Sequence, residues 1–313
     1  MQPDSLPSWR ESEAKAAIAG FVERVSSTGS ADFVEPFDRI AVFDNDGTLW
    51  CEKPFYVQGE FIAQRVRAMV EDRAELAENP VVRALAEGDF SGAVAAGGLE
   101  GLRGPLLGAH EGLTAEEFSA EAAQWLTTAV HPRFSRPYSM LVYQPMLELI
   151  ELLRKNRFRV FIITGGGVEF VRSVSERVYG VSPDDVVGSA VELEVVRVGG
   201  VMQLVRKAQF RGSPNEGAPK VQNIQGSIGQ RPILAAGNTA GDREMLEYAF
   251  RPDRPSLSLV IDHDDSEREY AYSGASFTDP GAESIATTAS RFGWTVVSMR
   301  DDWEKVFPDG THP

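Results

Sequence analysis

The chain has 313 residues, 42% of them hydrophobic and 25% charged, which is ordinary for a globular protein with a substantial core in one large domain or two smaller ones. A net charge of −15 argues against nucleic acid or an anionic membrane surface as partner, although a phosphate-bearing substrate needs only a local positive pocket. The single cysteine, Cys51, excludes an internal disulfide and has no His or Cys beside it to suggest reactivity. No apolar stretch is long enough to span a bilayer, and residues 1–13 are polar and acidic rather than signal-like, so a cytoplasmic monomer or homodimer is expected.

In chain order, Ala14, Ala17, Ile18, Phe21 and Val25 recur at helical spacing and predict an N-terminal helix. The run Ile40-Ala41-Val42-Phe43 reads as a short buried strand. Residues 54–137 change character: helical patterns recur over 61–70, 81–87 and 114–130, the last with Thr114 and Glu117 spaced as a capping box. Residues 88–112, rich in glycine, are expected to be loop. A helix is expected at 146–153, a strand at 160–163 and a helix at 168–178. Alternation around Gly199-Gly200 signals a hairpin over 191–205, and further strands are expected at 233–236, 257–261 and 295–297. Strands separated by helices imply an α/β fold: a Rossmann-like, mostly parallel sheet flanked by helices, with a helical cap inserted after the first strand. The expected division is a core of residues 1–50 and 140–313 and a cap of residues 51–139.

Four polar segments carry chemistry. Asp44 and Asp46 stand two apart where the first strand ends, with Gly47 to turn the chain away, so their carboxylates are expected to converge. Ligands of parallel α/β sheets sit at such carboxyl ends, and paired carboxylates there can hold a hard cation, attack an electrophile or move a proton. Thr164-Gly165-Gly166-Gly167 follows the second strand with a hydroxyl and free backbone N–H groups suited to a phosphoryl group. Lys220 is placed at a helix start, against the helix dipole, which suggests another need for it. Asn238 and Asp242, in the run Gly237-Asn238-Thr239-Ala240-Gly241-Asp242, offer an amide oxygen and a carboxylate at another strand end. Singly, each has a bland reading as a turn, a solvated lysine or a helix cap.

Together and in this order the four segments resemble the haloacid dehalogenase superfamily, with the Thr-Gly-Gly-Gly run nearest its phosphoserine phosphatase branch. The stretches FDNDGTLW, GNTAGDREML and HDDSEREYAY resemble a group of bacterial phosphatase-like hydrolases more closely still. The resemblance implies a Mg²⁺-dependent phosphatase acting on a small-molecule phosphomonoester through an aspartyl-phosphate intermediate. Asp44 would be the nucleophile and Asp46 the acid and base. Thr164, Gly165 and Lys220 would hold the phosphoryl group, and Asp44, Asp46 and Asn238 or Asp242 would hold the metal. Many members carry aspartate where this chain has Asn238, which removes one negative charge from the metal site. Asp46 disfavours dehalogenation, because a halide leaves without a proton. Glu52, Lys53, Arg136 and His263 are candidate substrate contacts, as are Tyr138 and Tyr143, and the acidic run from Asp262 to Asp265 is a candidate to line the pocket or bind a second cation. Phosphotransfer to another acceptor, phosphonate hydrolysis and a non-catalytic phosphate-binding role are the alternatives.

Overall fold

The computed structural model describes residues 6–276 and 281–309. Helix α1 (Glu13–Ser26), capped by the Ser12 hydroxyl on the Lys15 N–H, precedes strand β1 (Ile40–Phe43). Four helices follow: α2 (Val57–Asp72), α3 (Pro80–Glu87), α4 (Phe90–Gly108) and α5 (Ala115–Thr128). The chain then runs through α6 (Gln144–Lys155), β2 (Arg159–Gly167), two short helices α7 (Val168–Arg172) and α8 (Ser175–Tyr179), and β3 (Val186–Ser189). A hairpin of β4 (Val191–Val198) and β5 (Val201–Phe210) leads to α9 (Ala218–Ile228), β6 (Leu234–Gly237) and α10 (Arg243–Ala249). Strand β7 (Leu257–Asp262), α11 (Ile285–Phe292), β8 (Thr295–Ser298) and α12 (Met299–Asp302) complete the chain.

Six strands form one parallel sheet in the order β3-β2-β1-β6-β7-β8. Parallel strands covered on both faces read as continuous apolar runs, and β1 and β6 are buried at every position. Side chains alternate across the sheet. Ile40 and Val42 join Ile224 of α9, Met245 of α10 and Ile285 of α11 on one face, while Ala41 and Phe43 pack with Phe21 of α1 and Leu149 of α6 on the other. No helix among the described residues is long and apolar enough to cross a membrane.

Residues 88–112 are a correction to the sequence reading. Most of this segment is helix α4, started by Asp89 accepting from the Gly92 N–H and interrupted at Gly98, whose φ of 62° is left-handed. Glycine lowers helix propensity, but burial of Phe90, Ala93 and Leu102 on the neighbouring helices outweighs it. The expected helix over 168–178 is likewise broken into α7 and α8. The hairpin is formed, with Gly199 and Gly200 at φ 57° and 88° in its turn. It stands apart from the main sheet: β5 packs on α4 and α5, and Val205 bridges Thr114, so the lid over the sheet draws on a second stretch of chain beyond 51–139. Thr114 and Glu117 make the capping box read from their spacing.

His110, just past α4, is 3% exposed and stacks on Phe61 with ring centroids 4.6 Å apart. Burial, then the guanidinium groups of Arg206 and Arg65, depress its pKa from 6.5 to about 3. The folded ring therefore stays neutral where an unfolded one takes up a proton, and the stability it carries, complete above pH 6.5, is lost as pH falls toward 3. Between pH 7 and 5 the wild type is expected to lose roughly 2 kcal/mol more than His110→Leu. Thermal unfolding of both proteins across that range checks this, and parallel curves would refute it.

Candidate active site

Strand pairing brings the four segments together. Phe43 is in register with Ile162 of β2 on one side and Ala236 of β6 on the other, and the Asp44 N–H continues the ladder to the Ala236 carbonyl at 2.9 Å. Asp44 thus emerges between the Thr164 and Asn238 loops. It also keeps the parity of Ile40 and Val42, which face α9, and Lys220 lies in the first turn of α9.

Lys220 is 2% exposed and its ammonium donates to Asp44 Oδ1 and to Asp242 Oδ1, each at 2.6 Å. Burial lowers its pKa, but Asp242 and Asp44 more than compensate, so it is raised overall and the residue is a cation. Asp44 is pushed well up, first by burial and then by Asp242, against the pull of Lys220. Asp242 Oδ2 accepts from the Asn238 and Thr239 N–H groups at 3.0 and 3.1 Å. Both its oxygens are therefore engaged, one on Lys220 and one on its own loop, which places it as the anchor of Lys220.

Asp46 Oδ1 accepts from the Trp50 indole at 2.9 Å, and Oδ2 faces Gly166. Burial, offset in part by the Trp50 and Asn45 hydrogen bonds, raises its pKa from 3.8 to about 6. Thr164 is fully buried; its hydroxyl accepts from the Gly166 N–H at 2.9 Å and its carbonyl from Asn215 Nδ2 at 2.8 Å. The three glycines, for which a plain turn was the bland alternative, extend β2 through a register shift up to α7, and the Gly167 N–H donates to Gln58 Oε1 at 2.6 Å. Asn238 lies beneath Gly47, with its Oδ1 accepting from Thr48 at 3.3 Å and its Nδ2 3.5 Å from Glu52 Oε1.

Gly47 has φ 73°, and a Cβ there would fall 2.0 Å from Asn238 Nδ2. Gly47→Ala is expected to cost about 1–3 kcal/mol of stability and to lower turnover roughly 100-fold by displacing Asn238. Initial rates and melting curves measured together check this; a fully active variant would show that the close approach is dispensable.

A cavity of about 290 Å³ opens over these groups, lined by Asp44, Asp46, Gly165, Lys220 and Asp242 on the sheet side, with Glu52 at its edge. Among the remaining expected contacts, Lys53 pairs with Glu52 at 3.4 Å and lies over the Tyr272 ring. Arg136 is a correction: its guanidinium donates to the Pro308 carbonyl, away from the cavity wall. His263 is another, being a buried clamp whose Nε2 meets the Gly47 carbonyl at 2.7 Å and whose Nδ1 meets Glu269 at 3.2 Å. Tyr143 joins that clamp through Glu269 and Tyr138 packs on Trp125, while Asp264 and Asp265 hold Ser298 and Arg268. Cys51 is buried, and burial first and Glu269 second push its thiol pKa up, which leaves it inert. Sequence reasoning missed Gln58, Asn215 and Trp50 as supports of the motifs; only Trp50, four residues after Asp46, lay close enough to be suspected.

The family model of haloacid dehalogenase-like hydrolases matches residues 41–247, which takes in the four segments from Asp44 to Asp242. The chain belongs to that family. The hydrolase has the fold of a conserved protein of unknown function from Anaerococcus prevotii DSM 20548, with TM-score 0.54 and 14% identity, covering 90% of this chain and 99% of that one. A protein of unknown function from Bordetella pertussis Tohama I is similar at TM-score 0.49 and 14% identity, covering 83% and 97%. A probable phosphoserine phosphatase from Vibrio cholerae gives TM-score 0.40 and 15% identity, covering 83% and 65%. No curated protein matches the chain.

The donor set suits Mg²⁺ better than a metal that needs an all-protein cage. Among the described residues, no three His, Cys, Asp or Glu side chains are grouped to enclose a metal. Mg²⁺ retains several waters and needs only one or two carboxylates besides substrate oxygens. Asp44 engages Lys220 through one oxygen only, whereas Asp242 is engaged on both and Asn238 Oδ1 accepts from Thr48.

Proposed function

We propose that this hydrolase is a Mg²⁺-dependent phosphomonoesterase acting on a small molecule through phosphorylated Asp44. The observation that carries the reading is the Asp46 carboxyl, held by Trp50 and kept above the ordinary carboxylate range by burial, in the same cavity as the Asp44–Lys220–Asp242 cluster. A general acid is most effective when its pKa lies near the working pH.

Phosphoryl transfer depends chiefly on position and charge neutralisation. An Asp44 oxygen attacks phosphorus in line; the new Asp44–phosphorus bond forms as the ester bond breaks, and Asp46 gives its proton to the leaving alkoxide. Asp46 then takes a proton from the water that attacks phosphorus and releases phosphate and free Asp44. Lys220, the Gly165 amide and the Thr164 hydroxyl hold the phosphoryl oxygens through both steps. When bound by Asp44, the Asp46 carbonyl and Asn238, Mg²⁺ would supply the positive charge that lets an anionic nucleophile approach an anionic ester. The lid formed by α2–α5 and the hairpin excludes water from the first step.

Turnover of p-nitrophenyl phosphate with Mg²⁺, lost on chelation and restored by the metal, tests the reading; no turnover at all would favour a binding protein on this scaffold. Asp46→Asn sharpens the test. An alkoxide needs a proton and nitrophenolate does not, so the variant is expected to lose about 10²–10⁴-fold on alkyl phosphates and much less on p-nitrophenyl phosphate. Equal losses on both esters would remove Asp46 from the acid role.

A further inference from the structure

Two of the three glycines after Thr164 have their amides engaged elsewhere than on a substrate. The Gly166 N–H donates to the Thr164 hydroxyl and the Gly167 N–H to Gln58 Oε1. Nor does the backbone call for glycine: none of the three has a left-handed φ, and Gly167, at φ −66° and ψ 125°, is open to any residue. The space around them supplies the reason. A Cβ on Gly167 would fall 2.7 Å from Gln58 Nε2, 3.1 Å from its Oε1 and 3.3 Å from its Cδ. A Cβ on Gly166 would fall 3.2 Å from Thr164 Oγ1 and 3.3 Å from Gln58 Oε1. On Gly165 it would meet only the Asn215 carbonyl, at an ordinary 3.8 Å. Gly167, and in part Gly166, is therefore bare because a side chain of the lid lies against it.

Gln58 is the second residue of α2. The other polar groups of the loop are held from the core: the Thr164 carbonyl accepts from Asn215, and the Gly165 carbonyl from the Ser189 hydroxyl at 2.7 Å. Apolar contact between lid and core, such as Phe61 on Phe170 with ring centroids 5.3 Å apart, has little preferred direction. The Gln58 bond is directional and short, at 2.6 Å. It also falls beside the chemistry. Gln58 and Asp46 line the same cavity, and the Cβ position of Gly166 is 3.7 Å from Asp46 Oδ2.

We propose that Gln58 is a positioning residue: from the lid it fixes the end of the phosphoryl-holding loop against Asp46, and Gly166-Gly167 is the seat cleared for it. The lid then completes the phosphoryl site as well as covering it, because the loop takes its working position only with α2 in place. The effect on rate rests on the phosphomonoesterase reading; the contact itself does not.

Gln58→Ala, Gly167→Ala and the double variant test it. A methyl group on Gly167 pushes aside only the far end of a flexible side chain, so both single variants are expected to melt close to the wild type. Each is expected to lower kcat/KM for p-nitrophenyl phosphate with Mg²⁺ about tenfold, the scale of one hydrogen bond. Both remove the same contact, so the double variant is expected to lose no more than either single one. Losses that multiply, or a fully active Gly167→Ala, overturn the inference and leave the phosphomonoesterase reading standing. So does a fall in the melting temperature of Gly167→Ala that Gln58→Ala does not relieve. Hydrogen exchange of the Gly167 amide, followed by NMR, reads the contact without turnover and is expected to quicken about tenfold in Gln58→Ala. Unchanged exchange overturns the inference even where rates fall. A wild type that turns over no p-nitrophenyl phosphate overturns the phosphomonoesterase reading, while the exchange result still decides the contact.

Discussion

Asp44→Asn is expected to lower kcat on every phosphate ester by about 10⁴–10⁶, the scale seen when a covalent nucleophile is removed from an otherwise intact site. The substitution preserves shape, and Lys220 keeps Asp242 as its partner, so the protein should remain folded. The loss is therefore expected in kcat rather than in melting temperature. In the wild type, borohydride reduction during turnover should convert phosphorylated Asp44 to homoserine, detectable by mass spectrometry of the peptide that contains it. The variant should give no such product. Substantial residual activity in Asp44→Asn would move the nucleophile elsewhere and undo the proposed reaction course.

Lys220→Met is expected to damage stability and catalysis together. The methionine fills much of the same volume but leaves Asp44 and Asp242 buried side by side with no cation between them. Breaking a buried pair in this way costs about 3–5 kcal/mol. The loss should be greatest at neutral pH and shrink on acidification: uncompensated buried carboxyls have raised pKa values when folded, so the folded state takes up protons first and regains stability as pH falls. Removal of the cation from the phosphoryl oxygens should also reduce kcat/KM by about 10²–10³. Unfolding curves at several pH values, paired with initial rates, check both effects. A variant as stable and as active as the wild type at neutral pH would show that the ammonium is a bystander.

The chemical core was legible because its signals are local. A short apolar strand, two aspartates two apart and a glycine are enough to place Asp44 at a sheet end. Strand adjacency then brings Thr164 and Asn238 alongside, an arrangement which α/β order strongly constrains. The lid was legible only in part. The glycines of residues 88–112 read as loop because propensity is a weak prior; α4 exists through the packing of Phe90, Ala93 and Leu102, which no local pattern announces. His263 looked like a pocket residue because it follows a strand beside the last motif, whereas its ring is spent on the Gly47 carbonyl and Glu269. His110 and Arg206 were not legible at all. They meet only because the hairpin folds back on α4 and α5, a contact between segments far apart in the chain.

The cavity is built from two parts of the fold, which has a consequence for how such a protein changes over time. The charged groups hang from neighbouring strands of a stiff sheet, while much of the apolar surface opposite is assembled from helices and a hairpin supplied by other stretches of chain. Exchanging one apolar side chain there is expected to change the fit of a substrate without displacing the charged cluster. Kinship in the four chemical loops is thus a sound guide to the reaction and a poor one to the compound consumed.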